Sequence, residues 1–206
     1  MTDTILDLIR HGEPVGGRLY RGHGVDDALS EKGWAQMWAA VGDQAPWNRI
    51  VSSPLVRCRE FAAALAERHG LPVQVDMRFR EVGFGAWEGR AREDVEQNST
   101  EEYAAFYRDP VNHRPPGAEA LAHFVQRVVD AANDVVKDHY GEHVLLVAHA
   151  GVIRAMVAHA LQSDLASLYR IRVDNAGISR IRYSNTGACL DFHNSTLRTR
   201  HTHLII

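Results

Sequence analysis

The sequence predicts an α/β fold, a mostly parallel central sheet flanked by helices on both faces, and three observations predict it. Short apolar runs alternate along the chain with segments of helical periodicity, the pattern that builds parallel strands joined by crossover helices. At 206 residues and 45% hydrophobic content, the chain can bury one substantial core. No repeat, low-complexity tract or linker interrupts it, so residues 1–206 are expected to form a single domain.

Taken in order, Ile5 to Ile9 reads as a short strand. Glu31 to Val41 reads as a helix opened by Ser30 as N-cap, with Trp34, Met37, Trp38 and Val41 on one face. Arg49 to Val51 is a second strand running into Ser52-Ser53-Pro54. A serine cap followed by proline at the first helical position predicts a helix over Pro54 to His69, ended by Gly70 and Pro72. Val73 to Val75 is a third strand. Ala91 to Arg114 is more polar and irregular, with one short helix around Glu101 to Tyr107, and is expected to cap one face. From Ala118 to His139, the positions Leu121, Val125, Val128, Ala132 and Val135 follow helical spacing. His143 to Ala148 is an uninterrupted buried strand, and Val152 to Leu161 a helix. Gly177 to Tyr183 and Ala188 to His193 flank Asn185-Thr186-Gly187, a hairpin that puts an antiparallel edge strand near the C-terminus.

A formal charge of −3 offers no basic footprint for nucleic acid or anionic lipid, so any phosphate-binding charge must be local. Cys58 and Cys189 read as free thiols in a reducing cytoplasm. The start of the chain is not basic and its first apolar run is broken by Asp7, so neither a signal peptide nor a membrane span is expected. A cytoplasmic protein without nucleic-acid or membrane partners follows. Trp34 and Trp38 suit a homodimer face if the core does not take them.

Four constellations carry chemistry. In Arg10-His11-Gly12-Glu13 a buried strand ends in a cation, a histidine and a glycine that lets the backbone turn close to a bound anion. Val144 to Ala148 runs into His149-Ala150-Gly151 in the same way, at a helix N-terminus whose free N–H groups favour an anion. Arg154, one turn on, either reaches the same ligand or pairs with a surface acid. In Ser52-Ser53-Pro54-Leu55-Val56-Arg57-Cys58-Arg59, the two arginines point about 200° apart on a helix, so one alone serves a site. Arg57 can grip two phosphoryl oxygens at once. The fourth stretch, Arg80 to Gly89, sets Glu81 and Glu88 among glycines and aromatics, and either carboxylate is eligible as a general acid. The tandem His201-Thr202-His203 lacks partners at a recognisable metal-ligand spacing and reads as a polar strand; no metal or cofactor is expected.

Arg10-His11-Gly12-Glu13, Ser52-Ser53-Pro54-Leu55-x-Arg57, Arg80-Glu81-x-x-Phe84-Gly85-x-Trp87-Glu88-Gly89 and His149-Ala150-Gly151-Val152-Ile153-Arg154 resemble, in order, the motifs of the histidine phosphatase (phosphoglycerate mutase-like) superfamily. The resemblance spans residues 5 to about 160. It implies His11 as nucleophile, Arg10, Arg57 and His149 as phosphoryl-binding groups, and Glu81 rather than Glu88 as the acid and base. Gly12, Arg21, Gly22 and Ala150 join them as substrate-binding positions. Gly16 to Gly22 and Asp27-x-Leu29-Ser30-x-x-Gly33-x-x-Gln36 look most like bacterial α-ribazole-5′-phosphate phosphatases, although Ala28 stands where those carry proline and His23-Gly24-Val25 replaces a more polar loop. Gly117-Ala118-Glu119-Ala120 only approximates a family turn, and Glu119 takes no role from it.

The expected function is a metal-independent phosphomonoesterase acting through a phosphohistidine on a small phosphorylated metabolite. Trp87, Tyr103, Phe106 and Tyr107 are expected to offer faces on which a flat base stacks. The alternatives are a mutase-type phosphotransferase, which needs a longer cap, a broad-specificity phosphatase, and a non-catalytic phospholigand-binding protein, which has no chemical need for both His11 and Glu81.

Overall fold

Alternation of side chains along two adjacent strands decides the architecture. In β1 (Thr4–Arg10), Leu6 and Leu8 enter one buried cluster and Ile9 the other. In β4 (His143–Ala148), Val144, Leu146 and Ala148 alternate in the same way with Leu145 and Val147. Strands apolar on both faces must be covered on both. The computed structural model, which describes residues 2–43 and 45–195, supplies the cover. Helices α1 (Glu31–Val41) and α2 (Val56–His69) pack on one face, and α5 (Leu121–Asp138) and α6 (Ala150–Ala160) on the other.

The sheet order is β3-β2-β4-β1-β5-β6, with β2 at Arg49–Ser52 and β3 at Val73–Val75. The first four strands in that order pair in parallel. Strands β5 (Ile178–Ser184) and β6 (Gly187–Ser195) then close that edge as an antiparallel hairpin through the two-residue turn Asn185-Thr186, the strand pair expected there.

Helix α5 starts at Leu121 rather than Ala118, and other elements also differ from expectation. Helix α2 starts at Val56 instead of Pro54, with Leu55 at its N-cap: the Ser53 hydroxyl accepts from the Leu55 N–H, and Asp26 receives the Val56 N–H at 2.8 Å. Helix α6 starts at Ala150 rather than Val152, because the Glu81 carboxylate accepts from the Gly151 N–H in its first turn. The capping excursion holds two helices, α3 (Arg92–Asn98) and α4 (Thr100–Arg108). α3 is polar except for the buried Val95, so no apolar stripe announced it.

Ser30 caps α1 as expected, accepting from the Gly33 N–H at 3.0 Å. Trp34 and Trp38 lie partly buried against Phe61 of α2. Asp7 is fully buried, and its carboxylate receives Arg180 Nε (2.7 Å), His143 Nε2 (2.9 Å) and Trp47 Nε1 (2.9 Å). Burial raises its pKa, but the hydrogen bonds and charges of Arg180 and His143 outweigh that and hold it at about 2. No helix among the described residues is long and apolar enough to cross a membrane. His201-Thr202-His203 lies outside the described residues.

Candidate active site

Three parallel strands end side by side, and each delivers one polar side chain. Beyond the strands, the His11 N–H donates to Ala148 O (3.0 Å) and the Ser53 N–H to Val147 O (3.0 Å). Those two bonds carry the ladder one residue past β1 and β2 and gather His11, Ser53 and His149 at the carboxyl edge of the sheet. The His11 and His149 rings lie edge-on, 5.2 Å between centroids, and both residues are buried.

His11 Nδ1 lies 2.8 Å from its neighbour Gly12 O. A carbonyl only accepts, so Nδ1 carries the proton and Nε2 presents a lone pair. Burial, then the charges of Arg10 and Arg57, hold the His11 pKa well below its ordinary range. Burial and the Arg57 charge do the same to His149. Two neutral imidazoles therefore face two guanidinium groups.

Arg10 donates Nη1 to Val173 O (2.7 Å), and burial lowers its pKa to about 10, which leaves it charged at neutral pH. Arg57, 1% exposed, donates to Val25 O (3.0 Å) and Gly22 O (2.9 Å). The Nε of each is buried with no partner among the described residues. Buried donors are ordinarily satisfied, so two cationic donors left open beside neutral imidazoles make a place for an anion. Arg59 is exposed, as the helical angle requires.

Glu81 and Glu88 separate here. The Glu81 carboxylate accepts from Val82 N (2.9 Å) and Gly151 N (3.1 Å), at the N-terminus of the helix that His149 opens. A Cβ on Gly151 would stand 2.2 Å from Glu81 Oε1, so that glycine makes the room. Glu88 instead accepts from Phe84 N (2.9 Å) and packs beside Gly22 and Gly24. Arg127 braces the loop that carries Glu81, donating to the carbonyls of Arg80 and Glu81 and pairing with Glu119 at 2.8 Å. Glu119 is thereby a structural partner.

Other expected site residues take different places. Gly12 is needed for packing, since a Cβ there would sit 2.2 Å from Gly33 O in α1. Arg21 does not present a free guanidinium: it donates to Asp27 (2.8 Å), Gly17 O and Val15 O and holds the 15–27 loop together. Gly22 supplies the carbonyl that receives Arg57. Ala150 opens α6. Arg154 meets no carboxylate among the described residues; it donates to Ile171 O (2.8 Å) and lies over Tyr169. Trp87 and Phe106 are in the core and offer no face for stacking, while Tyr103 and Tyr107 pack against the core with Arg92 over both rings.

Sequence reading missed Arg127, Val173 and Asn175, whose side-chain amide donates to His11 O at 3.2 Å. The Asp174-Asn175-Ala176-Gly177 run carries a turn signal, but nothing local shows that the turn lies against β1.

A model of the histidine phosphatase superfamily (branch 1) matches residues 6–196. The adenosylcobalamin/α-ribazole phosphatase of Salmonella typhimurium is 33% identical over 174 residues, 79% of this chain and 82% of that protein. Phosphoserine phosphatase 1 of Hydrogenobacter thermophilus is 32% identical over 164 residues, 78% of each. Among solved structures, a mycobacterial glucosyl-3-phosphoglycerate phosphatase complexed with VO3 superposes with a TM-score of 0.81 at 31% identity, covering 93% of this chain and 99% of that one. Fold, strand-end histidines and these likenesses agree: the chain belongs to the histidine phosphatase superfamily and is a phosphatase.

Proposed function

We propose that the protein is a metal-independent phosphomonoesterase that forms a phosphohistidine on His11 and acts on α-ribazole-5′-phosphate or the corresponding cobamide phosphate. The observation that carries the chemistry is the His11 tautomer: with Nδ1 committed to Gly12 O, Nε2 keeps its lone pair, beside the His149 ring and under the charges of Arg10 and Arg57. Phosphoryl transfer asks the protein mainly to position the group and neutralise its equatorial oxygens. Arg10, Arg57 and His149 do this here.

His11 Nε2 attacks phosphorus in line, the ester P–O bond breaks, and Glu81 protonates the departing alkoxide. Glu81 then takes a proton from the incoming water, whose oxygen attacks phosphorus as the P–N bond breaks, releasing phosphate and neutral His11. Gly12, Gly22 and Arg21 serve by shaping the loops around the phosphoryl group, and Ala150 by opening the helix that faces it. Two free cysteines suit a reducing cytoplasm.

The likeness of the 16–36 region to α-ribazole-5′-phosphate phosphatases and the Salmonella relative support the substrate. One observation favours a second reading, a broad-specificity phosphatase: relatives named for phosphoserine and glucosyl-3-phosphoglycerate are 32% and 33% identical. The test is kcat/KM on α-ribazole-5′-phosphate, 3-phosphoglycerate, phosphoserine and a sugar phosphate, before and after exhaustive EDTA treatment. A preference above about tenfold, ~1.4 kcal/mol of differential transition-state binding, supports the named substrate, and a smaller one the broad reading. Activity lost to EDTA and restored by one divalent metal contradicts the metal-free chemistry.

A further inference from the structure

The Ser53 hydroxyl is fully buried and lies 2.6 Å from His149 Nε2, a tighter contact than its 3.3 Å to the Leu55 N–H. We infer that Ser53 is a positioning residue that fixes the proton of neutral His149 on Nδ1 and so makes Nδ1–H the donor offered to a phosphoryl oxygen. This rests on the reading of His149 as a phosphoryl-binding group.

Counting hydrogens and lone pairs around Ser53 fixes the tautomer. A serine hydroxyl has one hydrogen and two lone pairs. One lone pair receives the Leu55 N–H, which can only donate. The hydrogen has two candidate acceptors, His149 Nε2 and the sulfur of Cys58, which touches both residues. Cys58 is a protonated thiol, since burial pushes its pKa up to about 12, and its own hydrogen goes to Ala148 O at 3.4 Å. Sulfur accepts weakly and the contact to nitrogen is short, so the hydroxyl donates to Nε2. Nε2 then carries no proton. Nδ1 does, and its one hydrogen-bond contact among the described residues is the same sulfur at 3.8 Å, too distant to hold it.

The consequence is electrostatic. A neutral imidazole that turned a lone pair toward a phosphoryl oxygen would repel it, whereas an N–H attracts it. Ser53 thus selects the useful tautomer of a histidine that burial keeps uncharged.

The test has two arms. Nitrogen-15 spectra of the wild-type protein, with His149 assigned through its backbone, should show Nδ1 protonated and Nε2 bare in the absence of ligand. Ser53→Ala should lose that single tautomer and lower kcat/KM by about tenfold to a hundredfold, as removal of an outer-shell orienting partner commonly does. The loss should be equal on p-nitrophenyl phosphate and on poor leaving groups, and vanadate should bind more weakly. Ser53→Thr, which keeps the hydroxyl, should recover most of both. A wild-type spectrum with the proton on Nε2, or a folded Ser53→Ala with unchanged kcat/KM, overturns the inference. If Ser53→Ala does not fold, the wild-type spectrum decides. Failure of the phosphohistidine reading shows separately, as activity retained by His11→Ala.

Discussion

Glu81 and Glu88 sit in one glycine-rich stretch, and their chemical environments part only in three dimensions. Glu81 lies at the N-terminus of α6, which His149 opens, and its charge partly offsets the burial that lowers the Arg10 pKa, while Glu88 is tied to the backbone of its own loop. Glu81→Gln should therefore lower turnover by about 10² to 10⁴, the usual worth of a positioned proton donor, and the loss should shrink on p-nitrophenyl phosphate, which needs little protonation. Steady-state kinetics on both ester types checks this; an equal loss on both would assign Glu81 a binding role. At this scale, the strand-end residues Arg10, His11 and His149 were legible because a buried strand running into a polar residue and a small one is a local signal. Ser53 was not. Ser-Pro also signals a helix start, and its actual partner, His149, lies 96 residues away.

The junction of β1 with α1 depends on two glycines in contact. A methyl on Gly12 would meet the Gly33 carbonyl at 2.2 Å, so either α1 or the His11 loop must move. Gly12→Ala should cost about 1–3 kcal/mol, the usual range for overpacking, and should depress kcat because His11 is the adjacent residue. Urea unfolding and turnover measured on one preparation check both; a variant with the wild-type midpoint and wild-type kcat contradicts the packing argument. Helix α1 with its Ser30 cap was legible to the residue, whereas the periodicity of α5 showed the helix but set its start three residues early, at Ala118 rather than Leu121. Elements set by distant partners were not legible. α6 gains its first turn from Glu81, and α3 is held by Val95 alone among its buried side chains.

For the whole molecule, two buried neutral histidines couple stability to pH. The folded-state pKa of each lies well below the ordinary 6.5, so below that pH the unfolded chain binds protons that the native state refuses. Their contribution is complete above about pH 7.5 and declines as pH falls through 6.5, by up to about 1.4 kcal/mol per pH unit for each histidine. Asp7, held at about 2 against an ordinary 3.8, acts in a separate and lower window: its contribution is present above about pH 4 and is lost as pH falls toward 2. Urea midpoints at about pH 8.5, 7.5 and 5.5 should be level over the first interval and fall over the second; a flat profile would contradict neutral burial of His11 and His149. The sheet, its helical cover and the family were readable from the chain because both faces of β1 and β4 are apolar and the motifs fall in order. The loop that closes over β1 at Val173 to Asn175 was not, since its contacts are non-local. The proposed mechanism rests on His11 as nucleophile, and the most direct measurement is peptide mass analysis after rapid quenching with substrate at neutral to alkaline pH. The account predicts one added phosphoryl group on the peptide containing His11, absent from His11→Ala, which is also inactive. An unmodified His11 peptide together with near-native turnover by His11→Ala would contradict it.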